Sequence, residues 1–288
     1  MMRRILVTLV VAVLLASCSG GGGEGGDATT PSASGPPTTQ AAANGAIDAK
    51  FDVGGHQLHL TCRGTGSPTV VYLHGHSQRP GDASGDGAGL IPTLVAEQHH
   101  RFCGYDRANT GNSDKVPGPL DGETTIADMH RLLQAARIEP PYILLGASFG
   151  GLFAYMYAVT YPKEVAGMVL LDASFPEELE LERHFPKEER WDHSEWKTLE
   201  EQVDQLTTYQ QAHAMLGKEP AIPVTYLLAT PSGWTGPPAY EAVVLDHIAN
   251  YVDRFSPGVL EEVESPHYME AAVPERIAQE LEQIIANP

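Results

Sequence analysis

Basic residues are scarce in this chain. Eighteen Lys and Arg stand against 37 Asp and Glu over 288 residues, a formal net charge of −19. Such a balance repels phosphate backbones and excludes nucleic acid as an expected partner. Long apolar runs are also missing. The longest, ILVTLVVAVLL at 5–15, falls well short of the roughly 20 residues that a membrane-spanning helix needs. Cysteines number three, at 18, 62 and 103, and no internal repeat stands out. What the chain does have is 42% hydrophobic residues, enough for one sizeable core and a length that suggests one or two domains.

The short apolar run follows MMRR and precedes LASC, which ends at Cys18. A basic n-region, an apolar h-region and small residues before a cysteine resemble the bacterial lipobox. The expectation is a lipoprotein signal over 1–18, with lipid attached to Cys18 and two or more acyl chains anchoring the protein. Ordinary secretion with cleavage near the same place is the alternative. Residues 19–46 are Gly, Ser, Thr, Ala and Pro with almost no large apolar residue, so they read as a flexible tether. Removal of Arg3 and Arg4 leaves 16 basic residues against 37 acidic ones, a net charge of −21. An anionic bilayer repels such a domain, so the lipid and not the surface charge would hold it on the outer face of the cell membrane. Export leaves Cys62 and Cys103, an even pair. Their spacing leaves open a disulfide or two buried thiols.

Beyond residue 47 the pattern alternates between strand and helix. HQLHLTC (56–62), TVVYLHG (69–75), RFCGYD (101–106), YILLGA (142–147) and VAGMVLLD (165–172) read as strands, several of them apolar throughout as buried parallel strands are. Helices are predicted at 91–98, 124–137 and 149–162, the last ending at Pro162. The composition then turns acidic over 175–219, with helical periodicity in EEQVDQLTTYQQAHAML, and this reads as an inserted helical cap. Strands resume at IPVTYLLA (222–229) and GVLEEVE (258–264), each followed by a predicted helix. The alternation predicts an α/β fold, a mostly parallel sheet with helices on both faces.

GASFG (146–150) fits the pattern G-x-S-x-G, between a buried strand and an apolar helix. In that setting the serine sits on a sharp strand-to-helix turn where side chains two residues away on either side would collide, so glycine is needed there. The helix N-terminus behind it offers unpaired N–H groups and partial positive charge. A Gly-rich turn without chemistry is the plain alternative. A nucleophilic Ser148 needs a base. His267, in VESPHYMEAAVPERIA, follows the last strand and so lies at the carboxyl edge of the sheet, where Ser148 also lies. The other histidines fall in early strands, in helices or in the acidic excursion.

YLHGHS, GYDRANTGNSD, LLGASFGGLFAYMYAVTYP, VAGMVLLDAS and ESPHYM together resemble the α/β-hydrolases of the serine-esterase type, over about residues 47–288. The resemblance implies an α/β-hydrolase fold and an oxyanion hole made by the backbone N–H groups of His76 and Phe149. It implies cleavage of a small-molecule acyl substrate, with no metal or organic cofactor. It also places the strand carrying Cys62 beside the strand carrying Cys103, which implies a disulfide. In many relatives the triad acid follows the strand that here reads IPVTYLLA. The loop at that place, TPSGWTGPP, holds no carboxylate. Asp172, at the end of the preceding strand, is the chosen candidate, with Asp246 and Glu241 as alternatives.

Amide, lactone and thioester cleavage and acyl transfer share this machinery. A zinc site at HGH (74–76) lacks a nearby Asp-His pair to complete it. A binding module without turnover is the non-enzyme alternative. Phe175, Trp234 and Tyr268 are the expected substrate-binding side chains, favouring an uncharged acyl or aromatic ester. Arg107 lies near the same edge, with bracing its own loop as its alternative role.

Overall fold

The central strands of the sheet are buried on both faces, which is why their sequences show no alternation of apolar with polar. The computed structural model describes residues 45–76, 88–190, 192, 194–230 and 240–287. Eight strands form one sheet: β1 (Ile47–Asp52), β2 (Gln57–Arg63), β3 (Thr69–Leu73), β4 (Arg101–Tyr105), β5 (Tyr142–Ala147), β6 (Val165–Leu171), β7 (Val224–Thr230) and β8 (Gly258–Glu264). Their order is β1-β2-β4-β3-β5-β6-β7-β8. β2 runs antiparallel to β1 and β4, and every other pair is parallel. Every residue of β3 and β5 is buried. The period of two survives in where the side chains go. Ile143 and Leu145 join the core on one face, and Leu144 joins the core on the other. The edge strands β1 and β8 have only half-buried and exposed positions and carry charged residues outward, which blunts edge-to-edge pairing.

One core packs under helices α2 (Gly122–Ala135), α3 (Phe149–Thr160) and α6 (Glu241–Val252), the other under α1 (Ile91–Glu97), the short α7 (Met269–Ala272) and α8 (Pro274–Ala286). α2 starts where the Asp121 carboxylate accepts the Thr124 N–H at 2.8 Å, an N-cap. α8 presents Ile277, Leu281 and Ile284 at helical spacing to the sheet and opens with Pro274, whose missing N–H costs nothing at a first helical position. α3 is buried from Phe149 to Ala158, as a helix that is apolar all round must be.

Between β6 and β7 lies the acidic excursion. It contains α4 (Glu178–Leu181), three short 3₁₀ turns and α5 (Gln205–His213). The helical periodicity over 200–216 is realised only in α5. Before it the chain leaves the helical path: Gln202 turns to φ 53°, and Val203 bridges Leu120, whose N–H donates to Gln202 O (2.9 Å) and whose carbonyl accepts the Asp204 N–H (2.8 Å). Asp204 then caps α5 by accepting the Thr207 N–H. Cys62 and Cys103 stand directly opposite each other on β2 and β4 and are joined by a disulfide.

Candidate active site

The sheet order reverses direction at β3, which lies between β4 and β5. The carboxyl ends of β3 and β5 therefore sit side by side, with Leu73 opposite Gly146. Ligands of open α/β sheets bind in the crevice outside such a switch point.

Ser148 follows β5 and precedes α3, with φ 48° and ψ −126°. A non-glycine residue in that region carries strain of order 1–3 kcal/mol and persists only where its surroundings hold it. Here they do. The Ser148 N–H donates to Leu171 O, and its carbonyl accepts the N–H groups of Gly151 and Ser174, all at 2.9 Å. The flanking glycines have direct steric reasons. A Cβ on Gly150 would lie 2.0 Å from Leu73 O, and one on Gly146 would lie 2.7 Å from the Gly151 Cα.

Three side chains from three loops meet at this edge. His267, in the loop after β8, has Nε2 3.1 Å from Ser148 Oγ. Its Nδ1 lies 2.7 Å from Asp172 Oδ2. Asp172 follows β6 with φ 40°. Its N–H donates to Leu227 O at 2.8 Å, and its Oδ1 accepts the Ala229 N–H at 3.4 Å. The hydrogen bond that His267 Nδ1 donates to Asp172, more than any other influence, holds His267 above the usual histidine value, against the opposing effect of burial. Glu241 and Asp246 are exposed positions of α6.

Phe149 is the first residue of α3, so its N–H has no acceptor within the helix. His76 packs edge-on against the Phe149 ring, centroids 5.3 Å apart. The peptide before it abuts the serine, since a Cβ on Gly75 would lie 3.1 Å from Ser148 Cβ. On the excursion side, Tyr209 packs edge-on to Phe149, and its hydroxyl donates to Glu178 beside Ser174. Burial pushes the Glu178 carboxyl up to about 7.

The expected substrate-binding aromatics part company. Phe175 is 3% exposed and stacks on Tyr251 within the core. Packing accounts for its place. Tyr268 is 73% exposed, beside the His267 ring, and so stands at the rim. Trp234 and Cys18 lie outside the described residues. Among the described residues no group of three His, Cys, Asp or Glu side chains is gathered as metal ligands are.

Two residues gain a place that sequence reasoning did not find. Arg107 and Glu201, 2% and 0% exposed, form a buried ion pair. The Arg107 Nη1 and Nη2 donate to the carbonyls of His74 and Gly75, both at 2.7 Å. GYDR marked Arg107 as near the edge. Nothing local distinguished Glu201 from the other acids of the excursion.

Known proteins resemble this chain in both sequence and fold. The protein YbdG of Bacillus subtilis, described as uncharacterized, is 27% identical over 127 residues, 44% of this chain and 38% of its own length. The chain spans less than half the length of the first curated relatives it matches. Among solved structures, the mouse alpha/beta hydrolase domain-containing protein 10 superposes with a TM-score of 0.62 at 16% identity, covering 84% of this chain and 99% of that one. An esterase from Exiguobacterium antarcticum superposes with a TM-score of 0.57 at 17% identity, covering 84% and 100%. A family model described as the alpha/beta hydrolase fold matches residues 68–220, and that match supports a hydrolase. With its sheet order and its strand-serine-helix turn, the chain belongs to the α/β-hydrolase fold family.

Proposed function

We propose that the chain is a serine hydrolase that cleaves a carboxylic ester, or a related acyl bond, through an acyl-enzyme. The observation that carries this reading is the unbroken line from Ser148 Oγ through the His267 ring to Asp172, at 3.1 and 2.7 Å. A serine and a base in contact, with the base oriented by a third group, are what nucleophilic catalysis requires.

In the first step Ser148 Oγ bonds to the acyl carbon while its proton passes to His267 Nε2. The carbonyl electron pair moves onto oxygen, where the N–H groups of His76 and Phe149 hold the charge. Asp172 keeps the ring in the tautomer with hydrogen on Nδ1 and stabilises the imidazolium. The imidazolium then gives its proton to the leaving oxygen, the carbon–oxygen bond breaks, and the acyl group remains on Ser148. Water next loses a proton to His267 and adds to the acyl carbon. The acid departs as Ser148 recovers its proton. These steps use the chain's own groups and water.

The structural likeness to an esterase supports an ester as the bond. The net charge of −19 favours an uncharged substrate over an anionic one. The test is turnover of p-nitrophenyl esters of graded acyl length, with Ser148→Ala as control. Turnover by wild type that survives in Ser148→Ala sinks the proposal. Turnover of amides or lactones in preference to esters redirects it within the same chemistry.

Lipid anchoring at Cys18 on the outer face of the membrane is proposed beside it. The support is the leader MMRR-ILVTLVVAVLL-ASC and the charge that keeps the domain off an anionic bilayer. Metabolic labelling with a fatty-acid analogue tests it, and equal labelling of Cys18→Ala refutes it.

A further inference from the structure

The oxyanion loop is held from behind by a charge buried at its back. The guanidinium of Arg107 is 2% exposed, lies 4.9 Å from the Phe153 ring centroid, and spends its donors on three acceptors. Nε faces the Glu201 carboxylate, Nη1 the His74 carbonyl and Nη2 the Gly75 carbonyl. Taking an ion pair fully out of water is a poor way to gain stability, and apolar residues of similar volume commonly do as well. A buried pair with two donors aimed at successive carbonyls of one loop calls for another explanation.

The planarity of the peptide bond supplies it. The Gly75 carbonyl and the His76 N–H belong to one peptide unit, and in a trans peptide they point in opposite directions. Whatever grips the carbonyl therefore aims the N–H. Two donors grip it: Arg107 Nη2 at 2.7 Å and the His74 ring Nδ1 at 2.8 Å. The His74 ring is a fixed neutral donor, since burial first and the Arg107 charge second push its value down to about 3. Gly75 itself abuts the serine turn, since a Cβ there would lie 3.1 Å from Ser148 Cβ and 3.4 Å from Ala147 O. Glu201 completes the clamp from the excursion. Burial alone would raise its carboxyl, yet the Arg107 charge and hydrogen bond hold it below its usual value. The stretch that carries it is tied down by the Asn109 side-chain amide, which donates to Glu201 O at 3.2 Å, and by the backbone bonds to Leu120.

We propose that Arg107, braced by Glu201, is a positioning residue for acyl transfer: it locks the Gly75–His76 peptide with its N–H turned toward Ser148. The excursion thereby sets the oxyanion hole through a side chain that touches neither substrate nor triad. This rests on the serine-hydrolase reading.

The test compares the full chain with two variants. Arg107→Lys keeps the charge but gives up the planar fork that reaches three acceptors at once. The double variant Arg107→Met with Glu201→Met removes both charges at similar volume, so neither partner is left buried and alone. In the folded double variant kcat for a p-nitrophenyl ester is expected to fall on the order of 10²-fold, the lower end of what loss of one oxyanion donor costs, with KM little changed. A boronic acid that forms a tetrahedral adduct on Ser148 should weaken by a factor matching the fall in kcat/KM, and a non-covalent ground-state inhibitor should not. Arg107→Lys should fall between wild type and the double variant. A double variant with near wild-type kcat overturns the proposal, as does equal weakening of both inhibitors. If the double variant does not fold, Arg107→Lys carries the same two-inhibitor comparison. Wild type whose Ser148 resists an organophosphonate overturns the serine reading and this proposal together. A labelled wild type with an unaffected double variant overturns this proposal alone.

Discussion

Replacing Asp172 by asparagine removes one charge and leaves the shape. Asp172 sits at φ 40°, a left-handed conformation that Asn tolerates as well as Asp, so the chain should fold unchanged. The carboxylate has two duties. Oδ2 faces His267 Nδ1 at 2.7 Å, and Oδ1 accepts the Ala229 N–H at 3.4 Å. An amide has only one acceptor oxygen. If that oxygen stays with Ala229, the NH₂ faces the ring, and Nδ1 must become the acceptor. The ring hydrogen then moves to Nε2 and points at Ser148 Oγ, where a base is needed. If the amide turns over, its NH₂ meets the Ala229 N–H, donor against donor. The first arrangement is favoured, and it disables the base. In serine proteases the same replacement costs about 10⁴ in kcat, which is about 5.5 kcal/mol of transition-state stabilisation at ~1.4 kcal/mol per decade. The assay is kcat for a p-nitrophenyl ester, with Ser148→Ala as background and thermal unfolding to verify the fold. Asp246→Asn, at an exposed position of α6, should match wild type. A folded Asp172→Asn within tenfold of wild-type kcat refutes the reasoning, because the tautomer would then be set by some other group.

Three further expectations follow from the same geometry. His267 works only when neutral, and its value is raised by the Asp172 hydrogen bond, so kcat/KM should decline as pH falls through a midpoint above about 6.5; a midpoint below that value would contradict the contact. His59 is raised mainly by its hydrogen bond to Asp106, so its contribution to stability should be complete below pH ~6.5 and lost as pH rises through its folded value. The gap in unfolding temperature between wild type and His59→Gln should therefore shrink from pH ~6 to pH ~8, and a gap that widens would reverse the sign of the linkage. The Cys62–Cys103 bridge spans 41 residues, for which chain-entropy arguments give about 4 kcal/mol; urea unfolding of the double Cys→Ser variant should show a loss of that order, and an unchanged midpoint would show that the bridge contributes nothing.

Some elements were legible because their causes are local. GASFG announced a strand-to-helix turn, since the clashes that demand glycine arise within a few residues of Ser148 and from the neighbouring strand end at Leu73. β5 and β8 match their predicted spans. β1, IDAKFD, went unpredicted: it is an edge strand whose alternation is carried by an Asp, a Lys and an Asp on its outward positions. Residues 202–204 carry helical periodicity but are not helical, because the backbone of Leu120 pairs with them. Phe175 and Tyr268 looked equivalent as aromatic residues near the site. One stacks on Tyr251 in the core and the other stands open at the rim.

The sequence by itself determined the alternation of strands and helices, the place of the serine turn and the edge of the sheet where His267 must lie. These follow from short-range sterics and from the burial period of each segment, which a linear chain displays. Only the tertiary structure decided which carboxylate meets His267, because Asp172 and His267 are separated by 95 positions and are joined through the ends of β6 and β8 with β7 between them. Only it could single out Glu201 among the acids of the excursion. A carboxylate in a helical-looking acidic stretch reads as solvated surface, and what makes this one different is a guanidinium 94 residues away, itself gripping the loop beside Ser148.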